Sequence, residues 1–236
     1  MPFQPVLHAE WIKIRTLRSL VGSLCAVLLA TALFSGLAAA GSDNSDPLFS
    51  AFFGVSFGQI AAVAFGATAV SSEFHGGALR LTLSAVPDRR RWFAAKATAI
   101  ALPALAVGLL TGLVTLALGK FLLGADGPSW AEGLRGALGC GVYLTLMALF
   151  AAGLATVLRS GTATLGILIP FLLIVSFVIG DLSSGIADFL PDRAGQVVLH
   201  SAWDGPLGPW TGLAVTALWT AAALLAGARS LRRRDA

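Results

Sequence analysis

The chain has 236 residues, of which 56% are hydrophobic and 12% charged, with a net charge of +4 and a mean hydropathy of +0.82. Soluble domains carry roughly 25% charged residues, so a water-soluble globule of this composition would expose wide apolar patches and aggregate. The surplus Lys and Arg sit in short clusters between apolar runs, which makes them topology signals and excludes nucleic acid as the expected partner.

Residues 1–18 form a basic opening segment. Leu7, Trp11, Ile14 and Leu17 fall roughly on one helical face, with His8, Lys13 and Arg15 elsewhere. That pattern fits a helix lying on the inner membrane surface; a plain basic flank for the first span is the alternative. The first apolar window covers 19–40. Its basic start and the triplet Ala38-Ala39-Ala40 resemble a cleavable signal, but the apolar run exceeds the usual ~7–15 residues of such a signal. It therefore reads as a retained span, whose removal would leave the other spans in the same orientation.

Five more windows follow, at 50–71, 97–123, 136–158, 162–180 and 209–228. Each approaches the ~20 apolar residues that a helix needs to cross a hydrocarbon core of ~30 Å. None shows the period-two alternation of a membrane strand. The expected fold is all-α: a polytopic membrane protein of about six transmembrane helices in a single domain, residues 1–236. Pro103 and Pro170 are expected to kink their helices. In the second window Gly54, Gly58, Ala62 and Gly66 stand four apart, a packing face for a neighbouring helix. Gly108 and Gly112 repeat the spacing in the third, but a lone pair carries little weight in a chain with 27 Gly.

With the N-terminus inside, only Lys120, Arg135 and Arg193 lie outside, and the other thirteen of the 16 Lys and Arg are cytoplasmic. The basic side stays in the cytoplasm during insertion, so both termini are expected there, including the basic tail 229–236. In the inner loop 72–96, Ser72 is placed to cap a short helix carrying Glu73 in its first turn, Leu79 and Leu83 give it an apolar edge, Pro87 ends it, and Asp88 can cap the next helix. Outside, 124–133 reads as a short turn. The segment 181–208 holds Ile186, Phe189, Leu190, Val197, Val198, Leu199 and Trp203, too many apolar residues for a solvated loop and too few for a span. Short helices in or dipping into the outer leaflet would account for them.

No Asp, Glu, Lys, Arg or His falls in the interior of any window; Lys120, near an outer end, can snorkel. Proton-coupled transporters and intramembrane hydrolases keep ionisable groups or metal ligands within the membrane, so both classes are disfavoured. Cys25 and Cys140 lie in apolar segments without CxxC or His partners, indicating neither a disulfide framework nor a metal site. Gly119-Lys120 is no phosphate loop, because Val114 stands where the first Gly is required and Phe121 where Ser or Thr is required. No catalytic, cofactor or metal residue is expected in this chain.

The inner loop resembles that of permease subunits of type-2 ABC exporters, bacterial proteins whose pattern runs Glu, three residues, Gly-Thr-Leu-Arg, Thr-Leu-x-Ala-x-Pro-x-Arg and then Lys. Glu73, Gly77, Leu79, Arg80, Thr82, Leu83, Ala85, Pro87, Arg89 and Lys96 match, with Ala78 in place of the usual Thr. Glu10, Trp11, Lys13 and Arg15 look like the family's Glu-x-x-Lys-x-Arg opening, and Phe189-Leu190-Pro191 is similar to its outer loop before the last span. The resemblance implies that the loop around Glu73 is a coupling helix facing a separate cytoplasmic ABC ATPase, present in two copies, that binds ATP and magnesium. It also implies a second permease copy or similar chain, an outer gate at Phe189, Leu190 and Pro191, and a cell-membrane location among lipid. The chain itself would be no enzyme. Uncharged span interiors suggest an apolar or amphipathic cargo. A non-transporting immunity or scaffold protein, or a secondary transporter, remains the competing expectation.

Overall fold

The computed structural model describes residues 3–41, 46–74, 78–86, 88–175, 178, 185, 187–202 and 205–233, apart from the side chains of Arg80, Leu83, Ala85 and Val175. Among these residues there is no strand. Helix α1 (Phe3–Thr16) leads into α2 (Arg18–Gly41). Helices α3 (Pro47–Phe52) and α4 (Val55–Ser71) run on with the 3-10 turn Ser72–Phe74 as one apolar rod, Pro47–Phe74. Then come α5 (Ala78–Ala85), α6 (Arg89–Leu123), α7 (Trp130–Leu158) and α8 (Gly161–Pro170), the last followed by a π-helical turn, Phe171–Val175. After the short α9 (Pro191–Gln196), flanked by 3-10 turns at Ala187–Phe189 and Val197–Leu199, the chain ends in α10 (Pro209–Arg233). The protein is thus all-α, and its described residues include 5 helices long and apolar enough to span a membrane, plus a shorter apolar helix at Gly161–Ile174. The end of the window 162–180 falls partly outside the described residues.

Two helices begin earlier than hydropathy alone indicates, because local capping overrides the average. Asp88 accepts hydrogen bonds from the Arg90 and Arg91 amides and starts α6 two turns ahead of its apolar run. Ser129 and Glu132 form a capping box, so α7 begins at Trp130 within what reads as a turn. Ser72 does not act as an N-cap: its hydroxyl donates to the Ala69 carbonyl and closes α4 instead.

Helix α7 is the axis, packed by α4, α6 and α10, while α2 closes the far side against α4 and α6. Lipid offers no hydrophobic drive for helices to meet, so association needs close backbone approach. The four-spaced series on α4 supplies it, against two partners rather than one. A Cβ at Gly54 or Gly58 would lie 2.0 or 1.9 Å from atoms of Thr31 on α2, whereas at Gly66 it would lie 1.9 Å from the Ala148 carbonyl oxygen on α7. Residues four apart drift by about 40° per step, and over three steps the small face, with Ala62 buried between, turns from α2 to α7. Gly108 and Gly112 are a working pair after all: added Cβ atoms would come 3.0 Å from Gly141 and 2.4 Å from Ala137. Buried hydroxyls of Thr31, Thr115, Thr156 and Thr220 donate to carbonyls one turn back and leave no donor facing apolar surroundings.

The inner end, so named from the Lys and Arg count, gathers α1, α5, the start of α6 and the end of α10; Arg89 Nη1 donates to the Leu231 carbonyl at 2.7 Å. Both described ends of the chain therefore lie on one side of the bundle. Gly66→Ala is expected to force α4 from α7 and destabilise the protein by about 1–3 kcal/mol. Gly22→Ala, where an added Cβ meets nothing within 4 Å, is expected to be neutral or stabilising. Thermal unfolding of the detergent-solubilised variants measures both.

Candidate functional site at the inner end

Four charged side chains from three elements close into a ring. Glu10 and Lys13 stand one turn apart on α1, Glu73 ends the α4 rod, and Lys96 lies on the third turn of α6. Lys96 Nζ is 2.6 Å from Glu10 Oε2 and 2.8 Å from Glu73 Oε1. Lys13 Nζ completes the circuit, 3.0 Å from Glu10 Oε1 and 2.8 Å from Glu73 Oε1. Signs alternate and the ring is neutral. Glu10, Glu73 and Lys96 are 2–3% exposed, while 37% of the Lys13 side chain reaches solvent. Burial works against the charge on Lys13, and bonds from Glu73 and Glu10 more than offset it, raising its pKa above the ordinary 10.5. The Thr82 hydroxyl, which donates to the Ala78 carbonyl at 3.0 Å, lies 3.5 Å from the remaining Glu73 oxygen, Oε2, and sets α5 beside the ring.

An apolar layer backs the ring. Val6, Leu79, Val86, Trp92, Phe93 and Leu231 form a small core of their own, separate from the main one. Two expectations are corrected by this packing. Glu73 does not face outward toward a partner, because its carboxylate is needed by two lysines. Leu79 is 5% exposed and points into the small core, whereas Leu81 is 74% exposed. On α1 the buried stripe is Val6, Glu10 and Ile14; Trp11 is half-buried, Arg15 exposed and Leu17 exposed, so the stripe drawn through Leu7, Trp11, Ile14 and Leu17 is rotated from the true one. A groove of about 370 Å³ opens beside the ring, lined by Lys13, Leu17, Leu20, Glu73, Leu81 and Thr82. Gly77 and Pro87 lie outside the described residues, as does the Arg80 side chain.

The ring joins Glu10 and Lys13 of the opening segment to Glu73 and Lys96 of the inner loop, with Thr82 beside it. In the sequence Lys96 stands as the Lys that closes the loop pattern; its burial follows only once α6 starts at Arg89. A usable signal was the rarity of acidic residues on the inner side, where Glu10, Glu73, Asp88 and Asp235 stand against a crowd of basic ones.

At the outer end Phe189, Leu190 and Pro191 sit against α10: the Phe189 carbonyl accepts from Trp219 Nε1 at 2.9 Å and the Pro191 carbonyl from the Thr216 hydroxyl at 2.8 Å. Sequence reasoning missed the network beneath them. The Tyr143 hydroxyl donates to Gln59 Oε1, Gln196 Nε2 donates to that hydroxyl at 3.2 Å, and the Ser56 hydroxyl donates to Gln196 Oε1 at 3.0 Å. Above it Asp46 caps α3 through the Phe49 amide and meets His200 Nδ1 at 3.0 Å, while His200 stacks on Phe49. Burial pushes the His200 pKa below 6.5, although Asp46 pulls the other way. Asp46 lies below its ordinary 3.8: burial opposes this, and bonds from Phe49, Ser201 and His200 outweigh it. Among the described residues no cluster of three or more His, Cys, Asp or Glu could hold a metal ion.

No protein-family model matches this chain, and no curated protein sequence matches it.

Lys96→Met is expected to cost about 3–5 kcal/mol by leaving two buried carboxylates to one lysine, and Lys13→Met less, since Lys13 is part-solvated. Combining Lys96→Met with Glu73→Gln is expected to recover part of that loss, read as a non-additive unfolding midpoint. At the outer end, a His with a depressed pKa lends stability above its ordinary 6.5, and that contribution is lost as pH falls through the lower folded value. Asp46 behaves likewise below 3.8. Thermal stability is therefore expected to decline on acidification from pH 7.5 to ~5, with a shallower decline in His200→Asn, which keeps a donor toward Asp46 without titrating.

Proposed function

We propose that the chain is the permease subunit of a type-2 ABC exporter in a bacterial cell membrane, pairing with a second copy and with two cytoplasmic ATPase subunits. The observation that carries this reading is the ionic ring, which fastens the loop after the second span to α1 and α6. A load applied to α5 from the inner side reaches three elements through Glu73 at once, as a coupling segment requires. The partner would touch the exposed edge of α5, at Leu81 and Ser84, and Glu73 would transmit rather than contact.

In this reading the chain crosses six times. Gly161 packs beside Ser71 at the inner end, while Val198, at the outer end, packs on Gly139. The fifth crossing in chain order would begin at Gly161, with α8. Asp, Glu, Lys, Arg and His in the described spans lie only near span ends, so a proton relay through the middle finds no carrier there. ATP and magnesium on the partner would supply the energy, and ATPase closure would switch the paired permeases between inward- and outward-facing states. An apolar or amphipathic cargo suits the groove of about 570 Å³ between α4 and α8, lined by Thr68, Ser71, Thr162, Leu165 and Ile169.

Leu81→Glu tests the reading without disturbing the ring, because the side chain is 74% exposed. The expected outcome is loss of co-purifying ATPase subunit and of export, with stability within about 0.5 kcal/mol of the parent. Unchanged ATPase capture and transport in this variant, or flux that continues without ATP and collapses with the proton gradient, would sink the proposal.

A further inference from the structure

The surface of α10 opposite its packing face changes character along its length. Gly212, Thr216, Thr220, Ala223, Gly227 and Leu231 are buried against the bundle. At 100° per residue, Leu218, Ala222, Leu225, Arg229 and Arg232 fall on the reverse side, each within about 40° of Leu218. All five are exposed, Leu218 by 70% and Leu225 by 56%. From Leu218 to Arg229 the helix rises about 16 Å, close to the ~15 Å of one hydrocarbon leaflet. The apolar part of the stripe thus matches the length of an acyl chain, and its basic end begins where a headgroup would lie.

The basic end is also built from two places in the chain. Arg229, Arg232 and Arg233 line a depression of about 270 Å³. The Arg89 bond to the Leu231 carbonyl brings the start of α6, with exposed Arg90 and Arg91, to the same corner. The acidic side chain described there, Asp88, faces Arg91 at 3.6 Å and leaves the corner strongly positive. Guanidinium groups match phosphate oxygens in a two-pronged fashion, and basic pockets at the inner ends of spans suit anionic headgroups.

We infer that this corner holds an anionic phospholipid, its phosphate on Arg229, Arg232 and Arg233 and an acyl chain along Leu225, Ala222 and Leu218. The inference needs the chain to be membrane-embedded and does not need an ATPase partner.

Native mass spectrometry of the full chain in detergent, titrated with phosphatidylglycerol or phosphatidylcholine, tests it. Phosphatidylglycerol is expected to stay bound in preference. Arg232→Gln/Arg233→Gln is expected to weaken that retention about 25-fold, at about five-fold for each charge near the surface. Leu218→Ser/Leu225→Ser is expected to weaken it with every arginine in place, which a changed topology could not explain. Equal retention of the two lipids, wild-type retention in both variants, or complete displacement by millimolar inorganic phosphate would overturn the inference. So would loss of ATPase capture with unaltered lipid retention in the arginine variant, which would assign the patch to a protein partner.

Discussion

A charge buried without its partner costs several kcal/mol, and this constraint governs the inner end. Glu10, Glu73 and Lys96 are nearly inaccessible, so α1, the end of the α4 rod and α6 must meet in one arrangement or not be buried at all. Such a ring adds little net stability over apolar residues of the same volume. What it fixes is position. Sliding α1 along α6 by one turn, about 5.4 Å, would break the Lys96–Glu10 and Lys13–Glu73 contacts and leave each buried carboxylate with a single lysine. No slide of an apolar contact is penalised so sharply, since greasy side chains repack at modest cost.

The remainder of the bundle is held by different physics. Along α7 the neighbours approach through small residues, with Ala137 and Gly141 against Gly112 and Gly108, Ala148 against Gly66, and Gly153 against Ala223. Close backbone contact is directional only through shape, and leaves helices able to pivot where side chains are small. At the outer end the Tyr143, Gln59, Gln196 and Ser56 network adds hydrogen bonds that pin α9 to α4 and α7. The bundle is thus fastened at both ends by polar groups and packed between them by small ones.

Hydropathy made the long apolar helices legible, because it is a sum over many residues. Asp88 was legible as a cap because Pro87 and three arginines isolate it. The start of α7 escaped for the opposite reason: Glu132 and Arg135 depress the local hydropathy, although the Ser129-x-x-Glu132 spacing is itself a start signal. The ring was out of reach, since Glu10 and Lys96 are 86 positions apart and nothing in one sequence pairs them. Lys96 is chemically the same as its exposed basic neighbours, and only the phase of α6, set by Asp88, turns it inward. On α5, Leu79 is hidden and Leu81 exposed because one face of that helix packs into the small core, a distinction a two-leucine edge does not reveal.

An eight-residue helix such as α5 has too few internal hydrogen bonds to persist alone in water. It is held from two sides, by Leu79 in the small core with Trp92 and by Thr82 beside Glu73. Its exposed edge is therefore a mounted surface. Under the exporter reading, force at that edge passes to Glu73, then through Lys96 into α6 and through Lys13 into α1. From α6 it reaches the central helix where Gly108 and Gly112 admit α7 at backbone distance, with no flexible side chain between to absorb the movement. Transmission over such a distance requires stiff elements joined at points that cannot slip, and a buried ring of alternating charges is one of the few joints that lipid-embedded helices can build.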